Sequence, residues 1–349
     1  MHLPNSKILN ISTLSQIFDN TTATYKFYWF VAVLDIVVKE RKTRISFWEI
    51  IAAMISESWY PIHYFKLSFG KSDSLFEYSL QIQNDLQISI ELDKDKIKGQ
   101  LLNNLENTKK YLRIFTKNVP YRFLSPWIKY TYDDVIVKSQ SFTNNCLYSI
   151  YSEEIEINPI WIDYLTENYV ILRDFAFWNL TEFLQKRNPN VPNLPAKLVK
   201  PLQRESLTKQ RKFWDTYIES VGKINCIYTG KEIFAKKYDL DHFVPWSFVS
   251  HNLLWNLLPA DASINSSKSN NLPPLDKYLK PFAQMQQNAL QTLYTKNPNN
   301  NIFEDYLTVF DSVSELVKMP QNEFCDVLGK TFTPLVQIAE NSGFKIWQQ

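Results

Sequence analysis

A nearly continuous apolar stretch through 25–40 predicts one long helix, and a second is predicted through 45–59, where Phe47, Ile50, Ile51, Met54 and Ile55 share one face. Asn20, Thr21 and Thr22 stand ahead of the first of these as candidate caps. The stretch 76–92 is ambiguous. Leu80, Ile82, Leu86, Ile88 and Ile90 alternate in part, while the intervening Gln and Asn residues suit a helix as well. Helical spacing returns over 152–184, with a break at Pro159. The longest apolar run, 27–38, is interrupted by Asp35. A bilayer crossing needs about 20 apolar residues, so this run predicts a buried helix and no membrane association.

Pro189, Pro192 and Pro195, set among Asn188, Asn190 and Asn193, disfavour continued helix and mark a domain edge. A basic helical stretch begins beyond Lys197. The polar-rich segment 226–274 follows, then a second loop at 296–301 and one or two closing helices. The pattern predicts an α+β chain, with a mainly helical region over 1–187, a compact domain over 196–290 and C-terminal helices over 302–349. No internal repeat is present. The aromatic clusters at 59–66 and 120–127 read as core, with Arg122 paired inside, and Trp161 and Trp178 read as core residues of their helices.

Composition narrows the class. Of 349 residues, 45% are apolar, 15% aromatic and 21% charged, which excludes a disordered or fibrous chain. Six glycines and no GxGxxG or GxxxxGK[ST] exclude the common nucleotide-binding loops. Three cysteines, Cys146, Cys226 and Cys325, make no CxxC pair and no disulfide framework, and Met1-His2-Leu3-Pro4-Asn5 opens no secretion signal; both point to a reducing cytoplasm. The net charge is only +2, but it is unevenly spread. Residues 186–237 hold 12 Lys+Arg against 4 Asp+Glu, leaving 26 against 32 elsewhere. Such a basic zone is either a solvated helix face or an approach for a polyanion. Arg204, Lys209, Arg211 and Lys212 are its candidate phosphate contacts.

The chemistry concentrates just beyond. Asp241 and His242 are adjacent, so on a strand they point to opposite faces and meet one substrate only where the strand end bends; Pro245 supplies that end. Asp and Asn oxygens are hard ligands suited to Mg²⁺ or Mn²⁺, and His is the side chain best placed to act as a base near neutral pH. Asp261 can cap a short helix through Ser269, on which Asn265 and Lys268 lie three apart on one face. Asp239, two residues before Asp241, is a weaker candidate ligand, and His251-Asn252 reads as structural.

These residues carry a resemblance. Asp241-His242-Phe243-Val244-Pro245-Trp246-Ser247-Phe248, then Asn256, then Asn265-Ser266-Ser267-Lys268-Ser269-Asn270-Asn271-Leu272-Pro273 resembles the motif of HNH (ββα-metal) nucleases. In wording it is closest to the HNH domain of RNA-guided CRISPR effectors, and Cys226-Ile227-Tyr228-Thr229-Gly230-Lys231 resembles the turn that opens many such domains. The resemblance implies a ββα-metal domain in which Asp241 and Asn265 hold a Mg²⁺ or Mn²⁺ ion. It makes His242 the general base, Asn256 the residue holding the loop and the imidazole, and Lys268 an electrostatic contact near the phosphate. It implies hydrolysis of DNA, double-stranded in preference, to a 5′-phosphate and a 3′-hydroxyl.

Many relatives carry a zinc on two CxxC pairs. The matching positions here are Cys226, Thr229, Asp261 and Ile264, so no structural zinc is expected and the domain rests on residues such as Ile227, Tyr228, Phe234, Leu257 and Leu258. The region 1–187 is the expected seat of control, target choice or a protein partner, with bacterial anti-phage or restriction-type defence as the associated biology and a mobile element as the competing one. A silent nucleic-acid-binding or partner-binding protein and an RNA-cleaving nuclease are the alternatives. No guide-binding domain is visible, so the resemblance does not extend to guide dependence.

Overall fold

A computed structural model describes residues 3–129, 132–200 and 205–348, with Tyr132 and Asn265 by backbone alone. The chain is α+β, 59% helical with small antiparallel sheets. It divides into two compact units, Met1–Pro189 with Lys197–Lys200, and Asn190–Ala196 with Pro201–Gln349. No helix among the described residues is long and apolar enough to cross a membrane.

The first unit is built around helix α1 (Tyr25–Lys39). Every residue from Phe27 to Leu34 is buried, together with Ile36 and Val37, so this helix is apolar on all sides and surrounded by others. The second expected helix begins two residues later than its spacing suggested. Arg44–Ser46 is a strand, β1, and α2 (Phe47–His63) starts where the Ser46 side chain accepts a hydrogen bond from Glu49 N at 3.2 Å. The ambiguous stretch resolves as helix α3 (Ser74–Leu86), capped by Asp73 and stopped at Gln87 in a left-handed conformation; Ile88 and Ile90 lie in no strand. Helix α4 (Lys94–Asn103) packs on α2.

Residues 152–184 are not one broken helix. Tyr148–Ile150 and Glu154–Ile157 form β2 and β3, which with β1 make an antiparallel sheet in the order β1-β3-β2. Ile155 sits between Ile45 and Ile150, while Glu154 and Glu156 turn outward. Helix α5 (Tyr169–Gln185) follows and packs on α1. Trp161 is core, but Trp178 is 56% exposed, because α5 buries the opposite face through Leu172, Phe175, Ala176 and Leu180. The 59–66 cluster is core, whereas Arg122 is exposed and not paired inside.

The second unit opens with α6 (Thr208–Val221) and a short hairpin, β4 (Ile224–Asn225) with β5 (Glu232–Ile233). In the turn between them Gly230 N donates to Cys226 O, and Gly230 adopts φ 72°, a conformation easy only for glycine. β6 (Asp239–His242) pairs antiparallel with β7 (Leu257–Ala260), Asp241 opposite Leu258 and His242 opposite Leu257. Beyond β7 come the helices α7 (Ala262–Lys268), α8 (Leu275–Lys296) and α9 (Gln321–Asn341), among shorter turns. Phe243 stacks on Phe282 with centroids 4.2 Å apart and meets Phe332 edge-on at 4.9 Å, so the residue after His242 is anchored by both long helices. Each such ring contributes about 1.5–3 kcal/mol through burial. Tyr228, Leu257 and Leu258 are buried as expected, but Phe234 is 47% exposed.

Candidate active site

The strand β6 ends in a sharp bend held by one side chain. Asn256, fully buried, accepts a hydrogen bond from Val244 N and donates to Val244 O, both at 2.9 Å, while its own carbonyl accepts from Phe243 N at 2.8 Å. These three bonds fix the two residues after His242, so the backbone leaves the strand in one direction only. Ser247 donates to Asn270 at 3.0 Å and ties the segment after the bend to the end of α7.

Asp241 turns inward and is 3% exposed. Tyr228, carried by the glycine turn, donates to its Oδ2 at 2.8 Å. Lys268, at the end of α7 and fully buried, donates to Oδ1 at 3.1 Å and lies 3.0 Å from Oδ2. The same ammonium donates to His242 O at 2.7 Å. Burial pushes the Asp241 carboxyl above its ordinary range, with Lys268 and Tyr228 opposing. Lys268 therefore points into the protein in this structure and not out toward a phosphate.

His242 is half-buried, and its Nε2 lies 3.0 Å from Asn252 Oδ1. The Asn252 amide nitrogen donates to Glu205 at 3.4 Å. A carboxylate only accepts, so it takes the amide nitrogen of Asn252 and leaves the carbonyl for the ring. Nε2 then carries a proton, and the lone pair of the neutral imidazole falls on Nδ1. The imidazole's side-chain partner is thus Asn252, while Asn256 acts on the backbone. Helix α6 sets this up from behind. Gln210 donates to Asn252 O at 2.9 Å, and Arg211 donates to Tyr238 O at 3.0 Å. The Arg211 guanidinium is accordingly committed to the strand entrance, whereas Lys209 and Lys212 are exposed. Arg204 lies outside the described residues.

Asn265 sits on α7, one turn before Lys268, and its side chain is outside what the structure describes. Helix α7 is capped by Asp261, which accepts from Ser263 N at 3.1 Å. Tyr228, Asn252 and Glu205 were not singled out for this site by the sequence. Tyr228 falls inside the recognisable opening turn, but nothing in the spacing of Asn252 or Glu205 marks them.

Among the described residues no three His, Cys, Asp or Glu side chains cluster as a ligand set. The hard oxygen donor on which a divalent ion could be held is Asp241. Its buried carboxylate accepts from Tyr228 and Lys268 and already holds one cation, the Lys268 ammonium.

A paired strand, a fixed bend and a helix thus surround one oriented histidine and one buried carboxylate, the build of a ββα nuclease centre. Residues 226–274 match the family model described as HNH endonuclease. The match supports an HNH domain over that segment, and with it a nuclease in general acting on nucleic acid, of a kind that usually takes a divalent metal. No curated protein and no solved structure matches the chain.

Proposed function

We propose that the chain is a divalent-metal-dependent endonuclease that hydrolyses phosphodiester bonds of DNA, double-stranded in preference to single. The observation that carries this reading is the placement of His242 beside Asp241 at the bend of β6, with its Nε2 committed to Asn252. His242 Nδ1 takes the proton of the attacking water, and Asn252 holds the ring in the tautomer that leaves that nitrogen basic. Asn256 keeps the bend rigid, so the imidazole stays where the water must be. Asp241 and Asn265 are the residues that would hold Mg²⁺ or Mn²⁺. When bound, the ion stabilises the charge that develops on the phosphate and the leaving oxygen. The exposed Lys209 and Lys212 on α6 supply phosphate contacts along the approach.

Cleavage of supercoiled plasmid by the purified full chain, in Mg²⁺, Mn²⁺ or EDTA, tests the reading. Wild type nicks the plasmid with metal and not in EDTA, and His242→Ala lowers the rate about 10²–10⁴-fold. Cleavage that persists in EDTA, or survives His242→Ala unchanged, overturns it. A structured RNA in the same assay separates the two substrates: faster turnover of RNA than of plasmid rejects DNA as the target.

A further inference from the structure

The side chain of Lys268 has no solvent exposure, and its ammonium donates to Asp241 Oδ1 and His242 O while lying 3.0 Å from Asp241 Oδ2. A buried ammonium needs a counter-charge, and here that charge is one carboxylate. The same carboxylate is the group assigned above to the metal. A divalent ion bound to Asp241 would share its one carboxylate with the ammonium. Two cations on one buried carboxylate repel more strongly than they would in water. The ion and the ammonium cannot both keep these positions cheaply. Lysine is suited to yield, because its charge sits on a flexible four-carbon stem and its donors rotate.

We propose that Lys268 is the resident counter-cation of Asp241, displaced when a divalent ion binds, and that it thereby sets the metal affinity of the site. The inference rests on the metal reading above and adds to it a residue that works against loading. A purely supporting role for Lys268, tying α7 to β6, has the opposite consequence. If the lysine only props up the ligand, removing it weakens metal binding. If it competes for the ligand, removing it strengthens metal binding.

The test is Mn²⁺ binding to the full chain, followed by electron paramagnetic resonance, with wild type beside Lys268→Met and Lys268→Gln. Circular dichroism confirms that each variant is folded. The expected result is that wild type binds and the variants bind about tenfold more tightly, since a competing buried charge has been removed. Equal or weaker binding by the folded variants, with wild type binding, overturns the role of Lys268 alone. No Mn²⁺ binding by any of the three overturns the metal reading itself, and the two failures are distinct.

A second measurement needs no variant. Acetic anhydride labelling of the wild type, read by mass spectrometry, leaves Lys268 protected in EDTA and modifies it in saturating Mg²⁺. Continued protection in Mg²⁺, at a concentration shown to bind, also rejects displacement.

Discussion

Asp35 and Asp241 are both carboxylates set among apolar residues, one in each unit, and their surroundings push them opposite ways. Asp35 sits in the apolar run of α1, where burial alone would raise its pKa. It is met by Arg173 at 2.8 and 2.9 Å, Tyr169 at 2.6 Å, Lys39 at 3.0 Å and Lys94 at 3.1 Å. Together these hold its carboxyl well below the ordinary range. Arg173 and Lys94 also engage Glu57, so the cluster ties α1, α2, α4 and α5 together. Asp241 has one lysine and one tyrosine, and there burial prevails. A carboxylate supplied with more cations than it needs is a structural joint. One supplied with a single movable cation keeps the capacity to exchange it.

The largest effect that would break this contrast lies in the first unit. Arg173→Ala removes the partner shared by Asp35 and Glu57 while Lys39, Lys94 and Tyr169 remain, and the expected loss is about 1.5–3 kcal/mol in urea unfolding. A loss below about 1 kcal/mol, the range of an exposed pair, would mean that the cluster is surface decoration and that Asp35 is no counterpart to Asp241.

Much of this arrangement was legible before any coordinates, and the exceptions share a cause. α1 follows from the length of its apolar run and α2 from three-and-four spacing, both signals local to the segment. The bend of β6 and the place of Asn256 follow from a motif whose parts lie within one short segment. Glu154–Ile157 did not read as strand, because four alternating residues need partners, and one of these, Arg44–Ser46, is more than a hundred residues away. Trp178 looked buried because α5 is apolar on several sides, and only packing decides which side is covered. Lys268 was placed on the correct helix, but spacing along a helix does not say whether an ammonium ends in solvent or on a carboxylate.

Within the first unit a second buried group should respond to pH where the Asp35 cluster does not. His63 on α2 packs at a tilt against Trp59 with centroids 4.0 Å apart and lies 3.3 Å from Ser79 Oγ. Burial lowers its pKa from 6.5 to about 4, with Gln83 opposing. An unfolded chain takes up that proton first, so the contribution is complete above pH 6.5 and is lost as pH falls toward 4. The expected loss over that window is about 2 kcal/mol, measured by urea unfolding at a series of pH values, and His63→Gln flattens the slope. The Asp35 cluster contributes nothing to this window, since its depressed carboxyl loses its partners' benefit only below the ordinary range of about 4. A slope that persists in His63→Gln would assign the acid sensitivity elsewhere and remove this distinction.

The smallest effect sharpens the other side of the comparison, where a single polar residue does the orienting. Asn252→Ala removes the acceptor for His242 Nε2 and leaves Asp241, Lys268 and the Asn256 clamp in place. The ring then samples both tautomers and a wider range of angles, so the fraction of enzyme with a basic Nδ1 falls. The expected result is a loss of about tenfold in kcat with KM unchanged, because no substrate contact has been removed. Glu205→Ala should cost less, about twofold, because its bond to Asn252 is long and exposed and Gln210 still holds the Asn252 backbone. Nitrogen-15 shifts of the His242 ring distinguish orientation from general damage: the protonated Nε2 of wild type gives way to a tautomer mixture in Asn252→Ala. If kcat falls while the ring stays in a single tautomer, Asn252 serves the site by some route other than orienting His242.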